Sequence, residues 1–185
     1  MRLPILYDSQ RDNKINPFGA CNVTSLSMAI NFLRGEKATD PDELYAEANS
    51  MGVKAWIKEH LPNDKWIMDY FDSGSANLIW AVLEHLADVH LNPEYDCYFK
   101  GITGYKQIET LIKTDKTPVM IGTRLTGAGH IILLVGIEEP YFVCHDPYGD
   151  ANTGYKSGSG EFVRYSYNFL WPKVFKDRAL MFRKC

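Results

Sequence analysis

The sequence predicts an α+β fold in which a helical N-terminal half packs on an antiparallel sheet built from the C-terminal half. Two observations lead to this prediction. Apolar residues recur at helical spacing through most of the first half, whereas short apolar or alternating runs between turn residues fill the second half. Helices and strands do not alternate along the chain, so a parallel βαβ sheet is not expected. No repeat or composition shift marks a boundary, and we predict one domain over residues 1–185.

Helices in the N-terminal half are predicted from apolar periodicity and from residues that begin or end a helix. The first helix has Cys21 at its first turn and Gly35 at its end, where glycine often follows a helix. Asp40 can cap the second helix, which runs to Met51 with Gly52 as its stop. The predicted helices cover residues 22–34, 40–51 and 53–61 and a segment that begins at Ser75 or Asn77, and residues 63–73 have no assignment.

Strands in the C-terminal half are predicted from short apolar runs between turns. The run from Ile131 to Val135 is apolar throughout, which is typical of a central strand buried on both faces. A tight turn at 138–140 makes the next strand its antiparallel neighbour. Pro4 restricts a short strand near the N-terminus to a sheet edge. The predicted strands cover residues 3–7, 96–99, 118–124, 130–137, 141–146 and 162–167, residues 179–183 close the sheet, and a helix covers 104–115.

Composition and charge argue against several classes of protein. Of the 185 residues, 45% are hydrophobic and 23% charged, as in soluble globular proteins, and the net charge of −3 argues against a nucleic-acid or anionic-membrane partner. The N-terminus has no apolar signal region and no apolar run could span a membrane, so we expect a cytoplasmic protein. The cysteines are too scattered for a disulfide framework, and without a C-x-x-C pair we expect no metal and no cofactor. They are Cys21, Cys97, Cys144 and Cys185.

Cys21 stands where a polar, turn-rich segment meets the first apolar-periodic one. At the first turn of a helix, unpaired backbone N–H groups and the positive dipole end stabilise a thiolate. The thiolate is the nucleophilic form of cysteine, so this position suits covalent catalysis. The alternative is a small core residue, because free cysteine is often buried.

His130 heads the central apolar run and follows two glycines. A rigid, half-exposed histidine there suits a general base, although a histidine that ends a strand at the surface is the alternative. Asp146 lies about as far after the 138–140 turn as His130 lies before it, so antiparallel pairing would place the two side by side, with His145 on the opposite face. Asp146 can then accept the second imidazole N–H, although an Asp-Pro turn is the alternative.

Gln10 lies upstream, on a loop long enough to fold back and bring its amide beside the thiol; a solvated loop glutamine is the alternative. The chain resembles the papain-like cysteine peptidases, and the C39-like family in particular, in the order and context of these four residues. The residues that carry the resemblance, which spans 5–170, are Gln10-Arg11-Asp12-Asn13, Ala20-Cys21-Asn22-Val23-Thr24-Ser25-Leu26-Ser27-Met28, Gly129-His130 and Asp146-Pro147-Tyr148-Gly149.

The resemblance implies a papain-like fold and a role for each residue. Cys21 would be the nucleophile, and His130 the base that keeps it as thiolate and later protonates the leaving amine. Asp146 would orient His130, and Gln10 would stabilise the oxyanion together with the backbone N–H of Cys21. The sequence departs from the family at Asn22, where members usually have glycine, and this bears on the geometry of the Cys21 N–H.

The resemblance also implies a peptide substrate. A stand-alone chain without a signal resembles the peptidases of phage lysis modules, which cut peptide cross-links in bacterial peptidoglycan; such an endolysin-like enzyme would leave its producing cell through a pore. An intracellular processing peptidase or isopeptidase is one alternative, and a non-catalytic binding module on a peptidase fold is another. Residues 147–160 are expected to form a mobile loop beside the site.

Overall fold

The computed structural model describes residues 1–156 and 158–185. These residues contain one antiparallel sheet. Its strands are β1 (Tyr95–Lys100), β2 (Val119–Thr123), β3 (His130–Glu138), β4 (Tyr141–His145), β5 (Val163–Ser166) and β6 (Val174–Lys184). In these residues the sheet has six strands in the order β1-β6-β2-β3-β4-β5, and neighbours are antiparallel. Strand β3 lies inside the sheet and is largely buried, as its apolar run predicted.

The helices lie mainly in the N-terminal half, so the predicted α+β class is confirmed. They are α1 (Cys21–Arg34), α2 (Pro41–Ala48), α3 (Met51–His60), α4 (Lys65–Asp72), α5 (Trp80–Leu91), α6 (Tyr105–Thr110) and α7 (Tyr167–Leu170). A π-helical turn over Leu111–Asp115 continues α6, and 3-10 turns cover Gln10–Asp12, Ala76–Leu78, Ala151–Thr153 and Trp171–Lys173. None of the helices in the described ranges is long and apolar enough to cross a bilayer.

Helix α1 is the central buried helix of the N-terminal half. Most of its residues are buried because it packs against β3, α2 and α5. It ends at Gly35, which has a left-handed φ of 71° and donates its N–H to the carbonyl of Phe32. This packing places the first residue of α1, Cys21, at the start of β3.

The boundary between the second and third helices differs from the prediction. Helix α2 ends at Ala48 instead of Met51. Ser50 caps a separate helix by accepting a hydrogen bond from the backbone N–H of Val53 over 3.3 Å. Met51 and Gly52 therefore lie in the first turn of α3, where a glycine is tolerated, and do not end α2.

The segment before α5 also differs. Residues 65–72, which had no predicted assignment, form α4, whose buried Ile67 and Phe71 lie one turn apart on the same face. The helix predicted to begin at Ser75 or Asn77 starts as a 3-10 turn and becomes α-helical only in α5.

Two strand predictions are corrected. Residues 3–7 form no strand; in the described chain the N-terminal segment adds an isolated bridge between Arg2 and Gly136, and Pro4 has no N–H with which to extend a ladder. The last strand is longer than the predicted 179–183. It lies between β1 and β2 and does not close the sheet at an edge.

The predicted loop, residues 147–160, falls within the connection between β4 and β5, which includes the 3-10 turn at Ala151–Thr153. Two tyrosines of this segment, Tyr148 and Tyr155, pack against the ring of His130. Residue 157 of the predicted mobile loop lies outside the described residues. The position of the segment beside His130 agrees with the prediction, and its mobility stays a prediction.

Candidate active site

Cys21 is the first residue of α1 and presents a half-buried free thiol. Its Sγ accepts a hydrogen bond from the backbone N–H of Ile131 over 3.4 Å. The ladder between β3 and β4 stops at the pair Leu133–His145, so Ile131 lies beyond the last pair. A cysteine at a helix N-terminus with an N–H directed at its sulfur is well placed to hold a thiolate.

His130 is the first residue of β3, and its Nε2 lies 2.6 Å from Oδ1 of Asp146. Because this bond occupies Nε2, Nδ1 is the ring nitrogen left for the sulfur of Cys21, with which His130 shares a hydrogen bond. Only 6% of His130 is exposed, so the expectation of a half-exposed histidine is wrong. The rings of Tyr148 and Tyr155 flank it, with centroids at 6.2 and 6.0 Å.

Two opposing effects act on the pKa of His130. Burial lowers the pKa because the charged ring loses water, whereas hydrogen bonds to Asp146 and Cys21 favour the imidazolium. The hydrogen bonds prevail and raise the pKa above its ordinary value of 6.5. A charged imidazole beside the sulfur in turn stabilises a thiolate, so this arrangement can hold the ion pair that precedes nucleophilic attack.

Asp146 is fully buried, and both of its carboxylate oxygens accept hydrogen bonds. Oδ1 accepts from His130 and from the backbone N–H of Tyr148 (3.0 Å). Oδ2 accepts from the hydroxyl of Tyr165 (2.8 Å) and, over a longer 3.4 Å, from that of Tyr155. A buried carboxylate requires such donors, and these donors fix its orientation towards the imidazole.

The prediction that Asp146 lies directly opposite His130, because both are about equally far from the turn at 138–140, is wrong. His130 lies eight residues before Glu138, whereas Asp146 lies only six after Pro140, so Asp146 follows the last pair, Leu133–His145, while His130 lies further along β3. The register shift at 134–136 brings Asp146 one residue closer to His130 but does not remove this difference. The two side chains meet diagonally across the strands. His145 takes other partners, in agreement with the predicted alternation of faces.

Gln10 lies in the first 3-10 turn and is 1% exposed. Its backbone N–H donates to the carbonyl of Pro147 (2.9 Å), next to Asp146, and its Nε2 donates to the carbonyl of Pro17 (3.0 Å), in the loop before Cys21. These bonds tie Gln10 to both sides of the site. Within the described residues, Oε1 of Gln10 has no hydrogen-bond partner, and no hydrogen bond joins Gln10 to Cys21. The Nε2 amide has a second N–H besides the one that it donates to Pro17.

Asn22 is buried directly after Cys21 and pairs with Asn77. Its Nδ2 donates to the backbone carbonyl of Asn77, and its Oδ1 accepts from Nδ2 of Asn77 (3.3 Å) and from the N–H of Val23 (2.9 Å). The pair joins the first turn of α1 to the 3-10 turn before α5. Asn22 therefore helps to position the start of α1, on which the place of Cys21 depends.

Sequence reasoning missed three groups that contact the site. They are the hydroxyl of Tyr165 on Asp146, the backbone N–H of Ile131 on Cys21, and Oγ of Ser25, which donates to the carbonyl of Ile131 over 3.4 Å. Ser25 lies one helical turn after Cys21, so helical spacing was a signal that could have found it. The contact of Tyr165 depends on the pairing of β4 with β5, for which the sequence has no local signal.

Metal binding is the other chemistry open to buried His, Cys and Asp residues. Among the residues that the structure describes, no group of three or more His, Cys, Asp and Glu side chains is arranged to hold a metal ion. Burial also raises the pKa of the Cys144 thiol well above its ordinary value, which disfavours the thiolate that a metal requires.

Comparison with known families adds to this geometry. The model of the Peptidase_C39 like family matches residues 2–170. The chain belongs to the C39-like peptidase family. This C39-like peptidase is therefore a cysteine peptidase, and the family predicted from the sequence is confirmed.

Two solved structures resemble this C39-like peptidase. A C39-like peptidase from Bacillus anthracis aligns over 98% of this chain and 96% of its own, with a TM-score of 0.63 and 14% identity. The double glycine motif protease from an AMS/PCAT transporter, solved in complex with the leader peptide, aligns over 100% of this chain and 94% of its own, with a TM-score of 0.55 and 13% identity. At these identities the likeness shows the fold, and the predicted papain-like fold is confirmed. Comparison with curated proteins gave no significant match.

Proposed function

We propose that this C39-like peptidase hydrolyses a peptide or amide bond with Cys21 as nucleophile, His130 as acid and base, Asp146 as the group that orients His130, and Gln10 as an oxyanion donor. One observation carries the proposal. His130 is hydrogen-bonded to Cys21 and, through Nε2, to a buried carboxylate over 2.6 Å. That arrangement matches what activates a cysteine nucleophile.

The proposed reaction has two halves. The Cys21 thiolate attacks the carbonyl carbon, and the carbonyl oxygen becomes an oxyanion. As the C–N bond breaks, the imidazolium of His130 gives its proton to the leaving amine, and a thioester to Cys21 remains. His130 then takes a proton from water, and the hydroxide attacks the thioester. The C–S bond breaks, the carboxylic acid is released, and Cys21 and His130 return to the thiolate–imidazolium ion pair.

The proposed oxyanion site uses N–H groups at the start of α1. The backbone N–H of Cys21 lies at the N-terminus of the helix, where N–H groups have no helical acceptor. The second N–H of Gln10 Nε2 would be the other donor, because its first N–H donates to Pro17. Loss of one such donor lowers kcat by about 10²–10³ in other acyl-transfer enzymes, and we expect a similar loss for Gln10→Ala.

We propose bacterial cell-wall cross-link peptides as the substrate class. The support is the sequence resemblance to the peptidases of phage lysis modules. The leader peptide bound to the transporter protease supports a peptide substrate in general and favours the alternative, a peptide-processing enzyme. Purified peptidoglycan and a mixed peptide library, each treated with wild type and with Cys21→Ala, distinguish the two. New amines released from peptidoglycan by wild type alone support the wall substrate, whereas release from the peptides alone excludes it.

Iodoacetamide labelling against pH, read at each cysteine by peptide mass spectrometry, tests the ion pair directly. Exposed Cys185 is an internal reference for an accessible thiol, and buried Cys97 a reference for an inaccessible one. We expect Cys21 to label faster than Cys185 well below the pH at which free thiols ionise, and His130→Ala to abolish that advantage. A Cys21 profile that follows Cys185 in wild type, or is unchanged in His130→Ala, contradicts the proposal.

A further inference from the structure

Arg11 directly follows Gln10 and is fixed beside the candidate active site by two contacts. Its guanidinium lies over the ring of Tyr148, 4.4 Å from the centroid, and its Nη2 donates to the backbone carbonyl of Tyr155 over 3.3 Å. The same two tyrosine rings pack edge-on against His130. The ring of Tyr148 therefore contacts both the Arg11 guanidinium and the His130 imidazole.

The charge of Arg11 is not neutralised by an ion pair within the described chain. Most other arginines of this acidic protein contact a carboxylate, as Arg2 does with Glu138 at 2.6 Å. Among the described residues no carboxylate lies within 4.0 Å of the Arg11 guanidinium. Arg11 thus presents a preoriented cation with four further N–H donors at the site.

The position of Arg11 also indicates which part of a substrate it faces. His130 must reach the leaving nitrogen to protonate it, so groups that flank His130 on the side away from α1 lie near the leaving part of the substrate. Asp146 occupies Nε2, the ring nitrogen opposite the one left for Cys21, so the segment that follows Asp146 approaches His130 from the side away from Cys21. Tyr148 and Tyr155 belong to this segment, and Arg11 contacts it. A carboxylate carried by the leaving residue or its neighbour would meet the guanidinium there.

We infer that Arg11 is a specificity-determining residue that binds a carboxylate on the leaving-group side of the scissile bond. The preferred substrate is a peptide with an acidic side chain, or a free C-terminal carboxylate, within the first two residues of the leaving group. Arginine favours such a ligand because its planar fork can donate two parallel hydrogen bonds to one carboxylate. The inference rests on the proposed function, because it assigns the leaving-group side from the role of His130.

A proteome-derived peptide library, with cleavage sites mapped by mass spectrometry, tests this assignment. We expect wild type to prefer acidic leaving residues or free C-termini by roughly tenfold, the value of one charge-assisted hydrogen bond, and Arg11→Gln to lose the preference. Arg11→Glu should favour basic leaving residues. Peptides that differ only in C-terminal amidation, and peptides that differ only in Glu against Gln, distinguish the two sources of the carboxylate.

Arg124→Gln is the matched control. Arg124 also lies over an aromatic ring, that of Phe175 at 4.6 Å, but it belongs to the loop before His130. Its substitution should leave the acidic preference unchanged. Equal preference in wild type and Arg11→Gln overturns the inference while leaving the proposed function intact.

Capture of the same library on immobilised Cys21→Ala separates the two proposals if wild type cleaves nothing. Absence of cleavage contradicts the proposed hydrolysis. Enrichment of acidic peptides on Cys21→Ala, lost in Cys21→Ala with Arg11→Gln, would still support a carboxylate site at Arg11. Captured peptides without acidic enrichment, or no captured peptides, overturn that site as well.

Discussion

The backbone of Ile131 bonds to helix α1 through both of its polar groups: its N–H is directed at Sγ of Cys21 over 3.4 Å, and its carbonyl accepts from Oγ of Ser25. Both groups lie beyond the last pair of the β3–β4 ladder. His130 immediately precedes Ile131 in the chain. The distance between the sulfur and the imidazole is therefore fixed by a contact between helix and strand backbone, in addition to the bond between the two side chains.

Ser25→Ala should loosen this contact between α1 and β3. The variant removes one hydrogen bond and leaves the carbonyl of Ile131 without that donor, so we expect the free energy of unfolding to fall by about 1 kcal/mol. Because β3 is then held less firmly against Cys21, labelling of Cys21 by iodoacetamide in mildly acidic buffer should slow as well. Urea unfolding and cysteine labelling measure the two effects.

Ser27→Ala is the control for that experiment. Ser27 is a buried serine of the same helix, and its Oγ donates to the carbonyl of Thr39 over 3.2 Å, away from β3. Its Oγ also accepts from Oγ1 of Thr39 (3.1 Å) and from Nδ2 of Asn31 (3.3 Å), so Ser27→Ala should lose at least as much stability, with no change in the Cys21 labelling profile. If Ser25→Ala and Ser27→Ala label alike, the contact at Ile131 does not position the sulfur.

Tyr165→Phe should weaken the orientation of Asp146. The variant removes the 2.8 Å hydrogen bond to Oδ2, and a hydrogen bond to a charged group contributes about 1.5–3 kcal/mol. The carboxylate should then hold the His130 imidazolium less well, which lowers the pKa of His130 towards its ordinary value. We expect kcat/KM to fall by roughly tenfold, and the labelling rate of Cys21 relative to Cys185 in mildly acidic buffer to fall as well.

Tyr155→Phe is the matched comparison, because the hydroxyl of Tyr155 reaches the same oxygen over a longer 3.4 Å. A smaller loss of kcat/KM is expected, in keeping with the weaker geometry. If the two phenylalanine variants lose equal activity, the tyrosine hydroxyls act on something other than the orientation of Asp146.

The fold class could be predicted, and Cys21, His130 and Asp146, which the structure brings together, could be proposed as site residues, because their signals are local. A helix start, an apolar strand and an Asp-Pro turn are each visible within a few residues. The register of β3 on β4 could not be predicted in the same way, since the shift at 134–136 depends on how the two strands pack, and one extra residue changes every later pair.

The burial of the site likewise depends on contacts distant in sequence. His130 was expected to be half-exposed, yet Tyr148 and Tyr155 from the following loop pack on it. Such long-range packing leaves no periodicity in the sequence. The predicted helix end near Gly52 was wrong for a different reason. Ser50 accepts a hydrogen bond from the backbone N–H of Val53 and caps a new helix, α3, at the point where glycine had suggested that the previous helix ends.

His145 should make stability depend on pH. The ring is fully buried; its Nε2 donates to the carbonyl of Ile5 (2.9 Å), and its Nδ1 accepts the N–H of Phe162 (3.1 Å), which requires the neutral ring. Burial lowers the pKa of His145, although the bond to Ile5 and the charge of Glu161 oppose this effect. The unfolded chain therefore binds a proton first as the pH falls, and the free energy of unfolding should decrease below about pH 6.5.

His145→Gln separates this contribution from those of the other titrating groups. A glutamine amide can donate and accept but does not titrate in this range, so the stability of wild type relative to the variant should decline from about pH 7.5 to about pH 5.5. Urea unfolding at both pH values measures the difference. A constant difference would show that His145 does not protonate on unfolding in this range.

Asn22 and Asn77 should be energetically coupled. Asn22→Ala leaves the backbone carbonyl and the side-chain amide of Asn77 without their partner, at an expected loss of about 1–3 kcal/mol in the free energy of unfolding. Asn77→Ala removes the side-chain bond alone. Because both variants lose that bond, the double variant should be less destabilised than the sum of the singles by at least about 0.5 kcal/mol. Additive losses in urea unfolding would instead mean that the amide pair does not hold the first turn of α1, and that Asn22 after the cysteine is tolerated for another reason.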